Sequence, residues 1–339
     1  MSDDPTNPTQ QPDAPPQAAP ARKAVRWAGF VLAIALLGAS IWFAIREGQK
    51  DGVNGFARLA EADPLYIAAL LGLALITAIG INGLMFWVVH RPFVDKNRPV
   101  GPFAMIGLLA ASALLNYTPV KAGLIGRVAY LKQKHGVAYG AAVLIHMMLA
   151  GGTFGALGVV FAVTLWRRTL DAWWWGGYLA GLTLLALVGA LMLHYVPPKR
   201  VAAWVGRSAL DGVGHAFWVL LGCTQLAGLN ILGIALRWWV VARMLQVELD
   251  MVDAVFLSLI TSFTAAMPAN GLGMREWLNK LGSETGFISD SMRGQVMTVS
   301  LVDRAAEILV VLVSGLIALA YFGGFRRGTE TLNESPEEN

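Results

Sequence analysis

The chain of 339 residues holds one cysteine, Cys223, set inside an apolar tract. That excludes an internal disulfide framework and a multi-cysteine metal site. Charge is scarce as well: Asp, Glu, Lys and Arg make 14% of the residues, against roughly a quarter in a soluble domain. There is no P-loop and no dinucleotide fingerprint. No Gly-x-Ser-x-Gly or Ser-x-x-Lys nucleophile occurs, and no His-x-x-His or His-Glu-x-x-His metal spacing. Nucleotide chemistry, metal hydrolysis and a bound cofactor are therefore not expected. The formal net charge is +4, and the basic residues flank apolar tracts instead of forming a patch. They read as topology determinants, and no nucleic-acid partner is expected.

What the chain has is hydrocarbon. Apolar residues make 56% of it and the mean hydropathy is +0.56. Apolar tracts of twenty residues and more recur, which a water-soluble core of this size could not hide. The fold class follows: all-α, a polytopic transmembrane helical bundle. Full crossings are expected at 27–45, 65–90, 137–165, 173–195, 215–241 and 293–322. The first is followed by "FAIREGQKDG" and not by a small-residue cleavage site, so it reads as a retained helix. Residues 1–24 are rich in Pro, Gln, Asp and Ala and read as a disordered tail. Residues 25–325 then form one transmembrane domain, and 326–339 a short C-terminal tail.

Lys and Arg set the orientation. The face bearing the N-terminus gathers Arg91, Lys96, Arg98, Lys132 and Lys134 among others, more than the opposite face with Arg46, Arg167, Arg168 and Arg243. That bias places both termini in the cytoplasm. Trp27, Trp42, Trp87, Trp173, Trp174, Trp175 and Trp218 fall near expected interfaces and read as belt residues, as do Trp238 and Trp239 beside Arg237. Small residues such as "GGTFGALG" from Gly151 read as helix-packing contacts.

Two stretches break the pattern. Gly101 to Leu115 and Met251 to Ala266 are apolar but short for a crossing. Each runs into a proline, then glycines, then an amphipathic segment with an arginine. "LLAASALLNYTPVKAGLIGRVAYL" sets Pro119, Gly123 and Arg127 where "SLITSFTAAMPANGLGMREWLNKL" sets Pro268, Gly271, Gly273 and Arg275. A short apolar run with such a break reads as a broken or re-entrant hairpin. Broken backbone at membrane depth is tolerated only inside protein or along a wet cavity. Repeat-like units near 101–165 and 251–322 are separated by three crossings, so they enter from opposite sides as an inverted repeat.

Interior polar residues mark the site. Asp303, Arg304 and Glu307 lie in "VSLVDRAAEILVVL"; the two carboxylates share a face and Arg304 can pair with Glu307. A charge facing lipid costs about 2.5–3.5 kcal/mol even on the most lenient scale, so the three must face the bundle interior. A helix opening near Gly273 would present free N–H groups, and with Arg275 would cradle a phosphate. Lys121 and Arg127 can do the same in the first unit. Asn116 can cap the first break. His146, Arg237 and Glu276 complete a polar cavity.

These motifs in this order resemble the lysylphosphatidylglycerol synthase transmembrane-region family, also called flippase-like, over most of residues 25–322. The family's second break typically reads Pro-Gly-Gly-x-Gly-x-x-Glu. Here Gly271, Gly273 and Glu276 stand at its glycine and glutamate positions, after Pro268. In the first break the pattern carries over to Pro119, Gly123 and Arg127. The family often shows a Glu–Arg pair in the helix after the first break, where this chain offers His146 and Met147. The resemblance implies lipid translocation across the bacterial inner membrane. Members with a soluble aminoacyl-transfer domain move aminoacylated phosphatidylglycerol; nothing in the present sequence resembles that domain, so the translocating half is implied and not the synthase. The expected partner is a phospholipid or a lipid-linked headgroup, with a homo-oligomer or an envelope-biosynthesis protein as further associations. Two alternatives stand beside it. An intramembrane lipid-modifying enzyme would need His146 within reach of Asp303. A non-catalytic accessory protein would show closed salt bridges and no cavity.

Overall fold

The computed structural model describes residues 61–116, 122–195, 212–266, 274–284 and 295–333, with Trp42, Arg46, Gly286 and Ile288, and side chains as far as Phe322. The described chain is helical. Five helices are long and apolar enough to cross a membrane: Pro64–Phe93, Tyr139–Trp166, Ala172–Tyr195, Val213–Met244 and Val296–Phe322. They coincide with five of the six expected crossings. Apart from Trp42, the crossing expected at 27–45 lies outside the described residues, as do both tails apart from the helical backbone to Asn333.

The first described crossing is compound. Helix α1 (Pro64–Leu75) starts on Asp63, whose carboxylate accepts the Leu65 N–H at 2.8 Å, with Pro64 at its first position. A π-helical turn, Ile76–Ile81, follows and continues into α2 (Asn82–His90). The π register displaces carbonyls from their usual donors. The Asn82 amide answers by donating to the Thr77 carbonyl at 2.8 Å and the Ala78 carbonyl at 3.3 Å. Such bulges recur at functional sites.

Helix α3 (Pro102–Asn116) and helix α8 (Met251–Ala265) are each 15 residues, roughly 22 Å at 1.5 Å per residue and short of the ~30 Å hydrocarbon core. Each is followed, after a segment outside the described residues, by a second helix, α4 (Ala122–His135) and α9 (Met274–Glu284). Residues 117–121 and 267–273, with Pro119, Lys121, Pro268, Gly271 and Gly273, lie outside the described residues. The helix ends flanking both breaks do not. Asn116 Oδ1 accepts the Leu124 N–H at 3.1 Å, capping α4 across the first break as the sequence suggests. Gly123 lets α4 close on α3: a Cβ there would overlap the Ser112 carbonyl and sit 2.7 Å from Asn116 Oδ1.

Helices α5 (Tyr139–Trp166), α6 (Ala172–Tyr195) and α7 (Val213–Met244) follow α4, and α10 (Val296–Asn333) ends the bundle. Helix α7 is the hub, packed on α1, α2, α5, α6, α8 and α10. Between α5 and α6, Asp171 accepts a hydrogen bond from Arg167 and another from the Trp174 N–H at 2.9 Å. The Arg167 bond first, and then the Trp174 N–H, pull its carboxyl down from 3.8 to about 2.

Two tryptophans depart from the belt expectation. Trp42, Trp173 and Trp218 are exposed as belt residues should be. Trp174 and Trp238 are fully buried. Trp174 stacks on Tyr178 and donates its indole N–H to Thr164 at 3.2 Å. Trp238 donates to Thr261 at 3.1 Å and lies under the Arg275 guanidinium, 5.4 Å from ring centroid to Cζ. Each indole found a hydroxyl inside the bundle, which removes the reason to sit at the interface.

Candidate functional site

Four helices converge on one charged cluster. Asp303 of α10 is fully buried and accepts from two arginines: Arg237 Nε of α7 at 2.8 Å on Oδ1, and Arg275 Nη2 of α9 on Oδ2. Glu307, one turn along α10, receives Arg237 Nη2 at 3.3 Å on Oε2, faces Arg275 Nη1 at 3.5 Å, and takes Arg304 Nη1 at 3.2 Å on Oε1. Arg237 Nη1 also donates to Thr77 Oγ1 at 3.1 Å, and its Nη2 to the Asp303 carbonyl at 3.3 Å. Thr77 stands in the π turn, near the middle of its crossing.

The pattern follows from each helix's needs. Asp303 and Glu307, four apart, put both carboxylates on one face of α10. Arg237 would be intolerable in lipid, and α7 buries it at 1% exposure against those carboxylates. Helix α9 is amphipathic, burying Arg275, Glu276, Asn279 and Ser283. The Arg237, Arg275 and Arg304 guanidinium groups face the Asp303 and Glu307 carboxylates, a pairing that makes burial tolerable. The network is closed: Arg237, Arg275 and Asp303 are sealed off, and Glu307 is the member reached from outside, at 15% exposure.

Helix α9 has a second role. Arg275 is the second residue of its described span, Met274–Glu284, and the expected helix opening at Gly273 lies outside the described residues. Its Leu278 and Leu281 line an apolar groove of about 590 Å³ with Phe154, Phe161, Phe256 and Phe263. One short helix thus divides a charged core from a hydrocarbon-lined groove.

The first unit's residues gather elsewhere. Arg127 of α4, 4% exposed, donates from Nη2 to His146 Nε2 of α5 at 3.1 Å. The His146 Nδ1–H donates to the Ala142 carbonyl at 2.7 Å, which leaves Nε2 as the acceptor. The Arg127 guanidinium lies over the Phe86 ring, 3.9 Å from its centroid. His146 therefore bonds Arg127 and Ala142 and not Asp303, so the acid–base pair that an intramembrane enzyme would have needed is not formed.

Sequence reading set Arg237, Asp303, Arg304 and Glu307 in a polar cavity and Arg275 in a phosphate cradle; the fold joins all five in one network, with Arg275 on Asp303 and Glu307. It missed Thr77, Phe86, His90 and Trp238. Thr77 and Phe86 carry no signal inside an apolar run, and the π turn that positions Thr77 does not interrupt hydropathy.

The family model for the lysylphosphatidylglycerol synthase TM region matches residues 27–315. The chain belongs to that family. It is a flippase-like, multi-pass protein of the bacterial inner membrane, and the matched segment spans the charge network and helices α3, α4, α8 and α9. No curated protein and no solved structure matches the chain.

Proposed function

We propose that this family member moves a phospholipid or lipid-linked headgroup across the inner membrane, with the arginine–carboxylate network as the polar core of the route. The observation that carries the reading is the convergence of Arg237, Arg275, Asp303 and Glu307 from three helices at crossing depth. A bundle built only for stability would do as well with apolar packing there. The apolar groove beside α9 suits acyl chains while a headgroup engages the charges.

The two broken units fit this route. Helices α3–α4 and α8–α9 each pair a 15-residue apolar helix with an amphipathic helix carrying a buried arginine, Arg127 or Arg275. Three crossings, α5, α6 and α7, separate them, so the units enter from opposite faces as an inverted repeat. Lys121, Gly271 and Gly273 would add backbone and side-chain donors at the breaks, with Asn116, His146, Glu276 and Arg304 in the surrounding wall. Both termini then face the cytoplasm. Translocation requires the closed network to open, since its arginines are already neutralised; a headgroup must compete for them.

The closed state also favours a second reading, a non-catalytic accessory protein of an envelope-lipid pathway whose salt bridges only hold helices together. Reconstitution decides. Purified protein in vesicles of phosphatidylethanolamine and phosphatidylglycerol, with a fluorescent lipid quenched from outside, should equilibrate the label between leaflets faster than protein-free vesicles. No acceleration over an unrelated bundle protein would favour the accessory role.

A further inference from the structure

Of the four buried arginines among the described residues, Arg237, Arg275 and Arg304 each pair with a carboxylate; Arg127 does not. Its polar contact is a histidine nitrogen, its flat face rests on Phe86, and its Nε is buried with no hydrogen-bond partner. His90 lies on the same ring, stacked at 5.7 Å, and donates its Nδ1–H to the Phe86 carbonyl at 2.7 Å. Its Nε2 is also buried and unpartnered. The neighbouring undescribed segment, Tyr-Thr-Pro-Val-Lys at 117–121, contains no acid in its sequence. Among the described residues no carboxylate neutralises this buried cation, a costly arrangement that leaves room for an outside anion.

Position says where the anion comes from. The bundle end nearest Arg127 is basic, with Arg91, Lys96, Arg98, Lys132 and Lys134 exposed there. His135 at the end of α4 bonds the Arg98 carbonyl at 2.8 Å, which ties the loop after α2 to the α4 terminus. Arg127 is five residues before Lys132, and Phe86 five before Arg91, so two helices independently place the guanidinium roughly 8 Å beneath this rim. A basic rim concentrates anionic lipid at its face, and the half-buried His146 leaves a way in. The charge network is a separate place: Thr77 and Phe86 are nine residues apart on one helical crossing, roughly 14 Å.

We propose that Arg127, held over the Phe86 ring beside His146, is a binding site for a phosphate-type oxyanion carried by a lipid headgroup, loaded from the basic rim. The site deepens the translocation reading and rests on it for its purpose: the first station, open to an anion, lies one helical segment away from the self-neutralised network. Guanidinium matches phosphate oxygens with two parallel donors, and the unused Nε–H supplies one of them.

The test is thermal unfolding of the purified full chain in uncharged detergent, with dioctanoyl phosphatidic acid, dioctanoylglycerol or inorganic phosphate as probe. The phosphatidic acid should raise Tm saturably and the uncharged lipid should not. An equal rise with inorganic phosphate would assign a free-anion site and overturn the lipid source. Arg127→Met removes the uncompensated charge. Its unliganded Tm should equal or exceed wild type, while affinity for phosphatidic acid falls roughly ten- to a hundredfold. His146→Glu sets a carboxylate beside the guanidinium; it should raise the unliganded Tm and abolish the response, and it decides the matter if Arg127→Met does not fold. A wild-type response in either variant overturns the site. Lipid transfer in vesicles is read separately. Transfer at the wild-type rate in variants that no longer respond overturns its place as a station on the route and leaves translocation standing. A wild-type chain that responds but transfers nothing sinks translocation and leaves the site.

Discussion

Replacing Asp303 with Asn keeps the side chain's size and removes its charge, so the loss falls on the two arginines it joins. Arg237 keeps Thr77 at 3.1 Å, the Asp303 carbonyl at 3.3 Å and Glu307 at 3.3 Å. Arg275 keeps only Glu307 at 3.5 Å and the Trp238 ring at 5.4 Å. Two charge-assisted hydrogen bonds at about 1.5–3 kcal/mol each agree with the about 3–5 kcal/mol expected when a buried pair is broken from one side. At about 2 °C per kcal/mol for a chain of this length, Tm should fall by about 6–10 °C. The protein carries its own reporter. Cys223 is its one cysteine and is fully buried, so a dye that fluoresces on reaching a thiol follows unfolding in detergent. Glu307→Gln, at a partly exposed group, should cost less, about 1–3 kcal/mol. An Asp303→Asn protein that melts within about 2 °C of wild type, or one more stable than Glu307→Gln, would refute this account of the network.

Three further outcomes follow from the same geometry. Gly123→Ala drives a methyl into the Ser112 carbonyl, so α4 must shift against α3; the cost should be about 1–3 kcal/mol, read as a lower Tm and faster proteolysis within 100–135. Thr77→Val keeps the shape and removes the acceptor for Arg237 Nη1. It should cost about 1–2 kcal/mol, and a Tm equal to wild type would show that the π turn does not support the network. Asp171→Asn tests the α5–α6 loop by pH: the folded carboxyl sits at about 2 against an ordinary 3.8, so its stabilisation is present above the unfolded value and lost as pH falls through about 2. The Tm gap between wild type and variant should be widest near neutrality, close by pH 2 and shrink in salt; a gap independent of pH would contradict it.

Much of the bundle was legible because bilayer thickness acts directly on sequence. The tracts at 65–90, 137–165, 173–195, 215–241 and 293–322 each became a helix of crossing length. The two short apolar runs became 15-residue helices ending before their prolines. Local spacing also carried far: the Arg304–Glu307 pair and the Asn116 cap are both within reach of a single unit. What sequence could not give was pairing across the bundle. Asp303 meets Arg237 from 66 residues away and Arg275 from 28. It also misplaced Trp174 and Trp238 at the interface, because an indole seeks a polar partner wherever one exists, and Thr164 and Thr261 supply one inside. Arg127 looked like a counterpart of Arg275. Only the fold shows that Arg275 pairs with carboxylates while Arg127, among the described residues, meets none.

The most direct test of the central claim compares wild-type and Arg275→Ala protein in the same vesicles, reading leaflet-to-leaflet transfer of a fluorescent phospholipid alongside Tm. Arg275→Ala leaves the Arg237–Asp303 pair intact, so the protein should insert and fold, while transfer should slow at least tenfold, about 1.4 kcal/mol. Transfer at the wild-type rate by a correctly folded Arg275→Ala protein would mean that lipid does not pass through this network.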